Sequence, residues 1–91
     1  MIEPSIRRIE FTPAGEREFK KFSFQLRRRI FEKLKLYTAS GNPIFFARPL
    51  VNLPPATHRF RIGKYRVLFY LRDTNLIIDG VDKREDAYRG R

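Results

Sequence analysis

The sequence contains no cysteine and only one histidine among its 91 residues. The absence of cysteine excludes a disulfide, a thiolate metal site and a cysteine nucleophile. No charge-free apolar run is long enough to span a bilayer, and Arg7 and Arg8 interrupt the N-terminus before the apolar region of a signal peptide can form. We therefore expect a soluble, cytoplasmic protein that forms a single domain over residues 1–91.

Acidic residues are absent between Glu32 and Asp73, although this stretch contains many lysines and arginines. The whole chain holds 20 basic and 10 acidic residues, so its formal net charge is +10. Such one-sided charge indicates a polyanionic partner, either a nucleic acid, an acidic protein or both. An anionic membrane surface fits less well, because the basic stretch does not form one amphipathic helix.

The first half of the chain predicts a strand followed by a helical hairpin. Ile2–Phe11 alternates imperfectly as a strand, and Thr12 with Pro13 then begins a helix, because threonine caps helices and proline is favoured at the first helical position. Ser23 can cap a second helix, which Gly41 ends. One apolar stripe runs along this second helix, formed by Leu26, Ile30, Leu34 and Tyr37.

The second half predicts three strands, which are His58–Ile62, Tyr65–Arg72 and Leu76–Asp82. The two residues Gly63-Lys64 suit a type II′ hairpin turn. Residues 42–57 form a connector whose apolar pieces, 44–46 and 50–53, are expected to pack on the domain. At the other end of the three strands, Lys83–Tyr88 can form a short terminal helix. The fold class is therefore α+β, in the order β-α-α-β-β-β, with a helical hairpin on one face of an antiparallel sheet.

A two-residue turn at Gly63-Lys64 fixes the pairing of the hairpin. The expected opposite pairs are Ile62 with Tyr65, Arg61 with Arg66, Phe60 with Val67 and Arg59 with Leu68. Because side chains alternate across a strand, the apolar Phe60–Val67 pair faces the helices, and the three arginines share the other face. Like charges directly opposite each other lower stability by about 0.2–1 kcal/mol per pair. We infer that an anion normally lies between these arginines, whose planar guanidinium groups bind phosphate oxygens in pairs.

A purely structural explanation is also open at this stage. The arginines can belong to an exposed face with scattered charge, on which Asp79 or Asp82 of the neighbouring strand pairs with Arg66. Exposed pairs of this kind contribute little to stability, so they rarely explain a cluster. The basic residues Arg27–Arg29 of the second helix can lie along phosphate backbones, but the solvated outer face of an amphipathic helix is the preferred interpretation.

The stretch His58–Leu71, followed by Val81–Tyr88, resembles the RelE/ParE toxin superfamily, and so does Ala47–Leu50. The hairpin motif consists of a basic strand, a glycine turn and then Tyr-Arg-Val-Leu-Phe, and the resemblance covers nearly the whole chain. It implies the toxin of a type II toxin–antitoxin system, held inactive in a heteromeric complex by an acidic, partly helical antitoxin protein. RelE-like members cut mRNA in the ribosomal A site, whereas ParE-like members poison DNA gyrase.

The resemblance to RelE-like mRNA interferases also implies a site. Carried over to this sequence, its catalytic residues are Arg61, Arg66, Arg84 and Tyr88, and its RNA-binding residues are Arg48, Arg59, Lys64 and Lys83. The implied reaction is attack of a ribose 2′-OH on the adjacent phosphorus, which gives a 2′,3′-cyclic phosphate and a free 5′-OH. This chemistry requires no cofactor and no metal ion. The sequence shows no clustered His, Asp and Glu ligand set.

The chain departs from the best-known RelE pattern, which has lysines where this sequence has Arg59 and Arg61. An arginine is effectively never deprotonated in a protein, so neither residue can act as the general base. His58 and Tyr88 are then the candidates. We favour Tyr88, because strand alternation places His58 on the same face as Phe60.

Two alternative functions are consistent with the sequence. A ParE-like, non-enzymatic inhibitor of DNA gyrase shares the fold and the Tyr-Arg-Val-Leu-Phe strand. A catalytically inactive relative that only binds nucleic acid is the second alternative. ParE-like members usually lack the complete basic constellation with the terminal tyrosine, and this chain has suitable residues at all five positions (Arg59, Arg61, Arg66, Arg84 and Tyr88), which favours the endoribonuclease.

Overall fold

The computed structural model describes residues 8–83. In chain order the elements are β1 (Arg8–Phe11), α1 (Pro13–Lys20), α2 (Phe24–Ala39), a 3₁₀ helix (Pro43–Phe46), β2 (Arg48–Pro49), β3 (His58–Ile62), β4 (Tyr65–Arg72) and β5 (Asn75–Lys83). In this part of the chain, no helix combines the length and the apolar character that a membrane crossing needs. The predicted α+β class is confirmed. The two helices and the strands His58–Ile62, Tyr65–Arg72 and Leu76–Asp82 occur within one or two residues of their expected bounds, whereas the first strand is described only from Arg8, because residues 2–7 of its predicted range lie outside the described part of the chain.

The five strands form one mixed sheet in the order β1-β5-β4-β3-β2. The pairs among β2, β3, β4 and β5 are antiparallel, but β1 runs parallel to β5, with Ile9 opposite Leu76 and Phe11 opposite Ile78. The prediction of an entirely antiparallel sheet is therefore wrong at this edge. The alternation of the first strand determines which of its side chains face the core. It does not determine which strand lies beside it.

Both helices begin at the side-chain caps that the sequence predicts. The Thr12 hydroxyl oxygen accepts a hydrogen bond from the Gly15 amide at 3.0 Å, and the Ser23 hydroxyl oxygen accepts one from the Leu26 amide at 3.2 Å. Each bond satisfies an amide that has no partner within the first helical turn. Gly41 follows α2 with a φ of +87°, the left-handed conformation that glycine adopts without strain.

Helix α1 lies directly on β5. A Cβ atom at Gly15 would collide with the carbonyl oxygen of Ile78, so glycine is required for this close approach. Strand β1 pairs with β5 only as far as Ile78. Beyond that point the Glu18 carboxylate of α1 accepts a hydrogen bond from the Val81 amide at 2.9 Å, which replaces a missing strand partner.

The hydrophobic core lies between α2 and the inner face of the sheet. Ile30 and Leu34 of the predicted stripe are fully buried against it, while Leu26 and Tyr37 are partly buried. The sheet residues that are buried in this core are Phe60, Ile62, Val67, Phe69, Leu76, Ile78 and Val81. Tyr37 packs on the Phe60 ring with 4.7 Å between ring centroids, and burial raises the pKa of the Tyr37 hydroxyl.

The connector packs on the domain near both of its ends, and Ala56 close to its C-terminal end is buried. Pro43 is buried, Ile44 contacts the core, and the Phe46 ring stacks on Tyr37 with 4.8 Å between centroids. Val51, in contrast, is 80% exposed. The expectation that both apolar pieces pack is therefore confirmed for Ile44 and Phe46 of the first piece, whereas Phe45 is 77% exposed. In the second piece it is wrong for Val51 and Leu53, and only Leu50 is half-buried.

Candidate nucleic-acid interface

The β3–β4 hairpin has the predicted register at every position. Arg61 lies opposite Arg66, and Phe60 lies opposite Val67. In the turn between the two strands, Gly63 has a φ of +61° whereas Lys64 does not have a positive φ, as a type II′ turn requires. Phe60 and Val67 are completely buried under the helices, so the neighbouring arginines face the opposite side of the sheet.

The arginines occupy two adjacent rows across this outer face, which we call the arginine face. One row runs from Arg61 on β3 through Arg66 on β4 to Asp82 on β5. The next row begins with Arg48 on β2 and continues with Arg59 on β3. Because opposite residues of antiparallel strands have their Cβ atoms about 4.5–5.5 Å apart, the structure brings these four arginines together on one surface.

Arg66 forms an ion pair with Asp82. Its Nε and Nη2 atoms donate to the two carboxylate oxygens, each at 3.3 Å. The Arg66 side chain is 10% exposed and the Asp82 side chain 42% exposed, so the carboxylate is the more accessible partner. The purely structural explanation, in which Arg66 pairs with an acid of the neighbouring strand, is therefore confirmed for this residue. Asp82 balances the charge of Arg66 in this structure.

The positive charge that solvent can reach comes mainly from other side chains. Arg61, Arg48, Lys64 and Lys83 are all exposed. Within residues 8–83, none of these four forms an ion pair. Among residues 8–83, the exposed Arg48 and Arg61 therefore give the arginine face a positive charge that favours an anionic ligand.

His58 does not belong to the arginine face. Its ring packs beside Phe69 on the inner side of the sheet, with 5.9 Å between centroids, and its Nδ1 atom lies 2.9 Å from the Thr57 hydroxyl. This agrees with the alternation predicted from the sequence. Arg84 and Tyr88 lie outside the described residues, and so does the predicted terminal helix Lys83–Tyr88, apart from Lys83, which belongs to β5 instead. Among residues 8–83, no three His, Asp or Glu side chains are grouped as metal ligands would be.

A β-bulge decides where Asp82 lies. Phe69 pairs with Ile78 but Leu68 pairs with Gly80, so Asp79 is an extra residue on β5. Regular pairing from the β4–β5 turn would have placed Val81 opposite Arg66 and turned Asp82 towards the helices. The Asp79 carboxylate is held by the Thr12 hydroxyl, which donates to it at 2.9 Å. The sequence indicates Asp82 only as one of two acids that can pair with Arg66, because it contains no direct signal of this bulge.

Asp82 also borders an open depression at the end of the sheet. The depression measures about 420 Å³ and lies between the end of α1 and the last residues of β5. Its other lining residues are Glu18, Lys21, Phe22, Tyr65, Val81 and Lys83. Basic, acidic and aromatic residues thus line this depression. A volume in this range is typical of small-molecule binding sites.

The structure is similar to solved structures of RelE toxins. The RelBE2 toxin–antitoxin complex from Mycobacterium tuberculosis matches with a TM-score of 0.68 and 24% identity, over 92% of this chain and 94% of that chain. The RelE–RelB complex from Pyrococcus horikoshii OT3 gives a TM-score of 0.64 at 19% identity, over 87% and 96%. A mutant of E. coli toxin RelE in the free state gives 0.66 at 17% identity, over 88% and 85%.

Comparison of the sequence with protein-family models gives no match, and comparison with curated proteins gives none either. The likeness therefore rests on structure, and it extends over most of both chains in each case. At sequence identities below 25%, these structural matches establish a shared architecture. This chain has the fold of the RelE toxins.

Proposed function

We propose that this protein is the toxin of a type II toxin–antitoxin system and acts as a ribosome-dependent endoribonuclease. Its substrate is mRNA in the ribosomal A site. The ribose 2′-OH attacks the adjacent phosphorus without a metal ion, and cleavage of the message inhibits translation. The observation that carries this proposal is the arginine face, where Arg61 and Arg66 lie opposite each other and Arg48 and Arg59 lie in the next row.

The reaction creates negative charge that guanidinium groups can stabilise. The pentacovalent phosphorane carries more negative charge than the ground-state phosphate, and preorganised cationic donors bind it more strongly. Arg61 is exposed and suited to this task, while Arg66 lies beside it in the same row. Arg48, Arg59, Lys64 and Lys83 then hold the flanking phosphates, a contact that positions RNA without reading its sequence.

The remaining two proposed catalytic residues come from the resemblance stated above. Arg84 would stabilise the leaving oxygen or the scissile phosphate. Tyr88 would stack under a base or orient the nucleophile. Both roles are proposals for side chains outside the described residues.

A cognate antitoxin is the proposed protein partner. Solved relatives of the fold are RelE–RelB complexes from Mycobacterium tuberculosis and Pyrococcus horikoshii OT3. For this chain, a formal net charge of +10 favours an acidic partner, which would cover the same arginines that bind RNA. Binding of the antitoxin and binding of mRNA would then exclude each other.

The test is a cell-free translation reaction in which the purified protein is added to ribosomes programmed with a defined mRNA. We expect cuts within codons and fragments that end in a 2′,3′-cyclic phosphate and begin with a 5′-OH. The Arg61→Ala variant should cut at least about 100-fold more slowly, in the range found when one stabilising donor is removed from an active site.

The matched control is Arg17→Ala, which removes an exposed arginine from α1, away from the arginine face. It should cut at the rate of the unmodified protein. Intact mRNA together with trapped gyrase–DNA complexes would contradict the proposal and favour the ParE-like alternative. Intact mRNA with retained RNA binding would favour the inactive nucleic-acid-binding relative.

A further inference from the structure

The proposed reaction needs a group that accepts the proton of the ribose 2′-OH. Arg61 and Arg66 cannot do so, because arginine stays protonated in proteins. His58 lies on the inner side of the sheet beside Phe69, away from the arginine face. Tyr88, the general base that the sequence favours, lies outside the described residues, and Asp82 is the alternative that the described residues offer. Among the described residues in the Arg61–Arg66 row, Asp82 is the one side chain that can take up a proton.

We propose that Asp82 is a catalytic residue and that its carboxylate is the general base of the cleavage step. This inference rests on the proposed endoribonuclease function. In the step, the 2′-O–H bond breaks and its proton passes to the Asp82 carboxylate. The 2′-oxygen uses the electron pair of that bond to form a new bond to phosphorus, and the bond between phosphorus and the 5′-oxygen breaks. The leaving 5′-oxygen takes a proton from water, and Asp82 returns its proton to solvent.

The position of Asp82 suits this role. The bulge at Asp79 places Asp82 in the same row as Arg61 and Arg66, so the carboxylate lies beside the groups that would hold the phosphate. Its side chain is 42% exposed. RNA can therefore reach the carboxylate without a rearrangement of the sheet.

The contact with Arg66 aligns the carboxylate without fixing it tightly. Both N···O distances are 3.3 Å, whereas strong charge-assisted hydrogen bonds of this kind measure about 2.7–2.9 Å. A guanidinium that is 10% exposed has little freedom to move, so it gives the carboxylate a fixed orientation. The Arg66 side chain is thus a positioning group for Asp82, in addition to any contact that it makes with phosphate.

The test compares Asp82→Asn with Asp73→Asn under single-turnover conditions on programmed ribosomes. Asparagine keeps the size of aspartate and removes the basic oxygen. Asp73 is a matched control, because it is exposed in the β4–β5 turn with a φ of +56° that asparagine also tolerates. We expect Asp82→Asn to slow cleavage by at least about 100-fold, the usual contribution of a general base, and Asp73→Asn to leave the rate unchanged.

Binding and rescue separate a catalytic role from a structural one. An mRNA with 2′-deoxyribose at the A-site codon cannot be cut, so it measures binding alone. Asp82→Asn should bind this mRNA with a Kd equal to or lower than that of the unmodified protein, because a negative charge is removed. Added formate should restore cleavage by Asp82→Ala at least tenfold and should not restore Arg61→Ala. A cleavage rate of Asp82→Asn within threefold of the unmodified rate would overturn the assignment while leaving the endoribonuclease intact.

The remaining outcomes also decide the question. An unmodified protein that does not cut mRNA would overturn the proposed function and the role of Asp82 together. If Asp82→Asn does not fold, the Asp82→Glu variant carries the test, because it keeps the charge that balances Arg66. In Asp82→Glu the carboxylate is displaced by one methylene, and a misplacement of about 1 Å can reduce a rate by about 100-fold. This variant should therefore cut mRNA at least tenfold more slowly at an unchanged Tm. An unchanged rate for Asp82→Glu would count against the proposal.

Discussion

Arg61 and Arg66 lie directly opposite each other on β3 and β4, although both are positively charged. Asp82 balances the charge of Arg66 from the adjacent strand β5. Arg61 is exposed and forms no ion pair with residues 8–83. Two like charges directly opposite each other on a sheet lower stability, and an anionic ligand between them would remove this cost.

Replacing Arg61 should change stability and RNA binding in opposite directions. In Arg61→Ala the repulsion from Arg66 disappears, so the free energy of unfolding should stay the same or rise by up to about 1 kcal/mol at low salt. RNA binding should weaken because a phosphate contact is lost. Urea unfolding and a binding titration measure the two effects on the same preparation. A marked loss of stability would mean that Arg61 is a structural residue.

RNA binding by the unmodified protein should depend on salt. If three or four phosphates of a single strand are held, log Kobs should fall against log salt concentration with a slope of roughly −2 to −3. Arg61→Ala should make the slope shallower by roughly 0.7, the value for one phosphate contact. Titrations of an RNA with 2′-deoxyribose at the cleavage position, between low and moderate salt, measure both slopes. A slope near zero would remove the electrostatic argument for the arginine face.

Gly15→Ala should destabilise the protein even though alanine is the better helix former. At an exposed helical position this substitution adds about 0.5–1 kcal/mol of stability. Here the new Cβ would collide with the Ile78 carbonyl oxygen, so α1 must move away from β5, which we expect to lower the free energy of unfolding by about 1–3 kcal/mol. Thermal and urea unfolding check the sign. A more stable variant would show that α1 and β5 are not in close contact.

Tyr37→Phe should reduce the loss of stability at alkaline pH. Burial raises the pKa of Tyr37 above its usual value of 10.0 in the folded protein. The folded state therefore holds this proton more firmly than the unfolded state, and the resulting stability is present below about pH 10 and is lost as the pH rises through the raised pKa. Phenylalanine has no such proton. The difference in unfolding free energy between the two proteins should be constant up to about pH 9 and shift in favour of Tyr37→Phe above pH 10.

The features that the sequence predicts correctly depend on neighbours in the chain. A glycine followed by one more residue sets the hairpin turn, and the turn then fixes that Arg61 meets Arg66. Helix caps at Thr12 and Ser23 follow from the same kind of local rule, as does the stripe through Ile30 and Leu34.

The features that the sequence does not predict depend on contacts between distant segments. The parallel pairing of β1 with β5 joins residues more than sixty positions apart. The bulge at Asp79 is held by the Thr12 hydroxyl, and it moves Asp82 to the arginine face. Alternation alone would have placed Asp82 on the inner side, so the sequence names it only as one of two acids that can pair with Arg66, and the structure decides between the two.

The most direct measurement of the central claim is a nuclear magnetic resonance titration that follows the Nε–Hε signals of the arginines. The ligand is an RNA that cannot be cut because it carries 2′-deoxyribose at the cleavage position. We predict that the largest shifts occur at Arg59, Arg61 and Arg66, and that the signals of Arg27–Arg29 on α2 change little. Shifts confined to the α2 arginines, with unchanged signals on the sheet, would contradict the account.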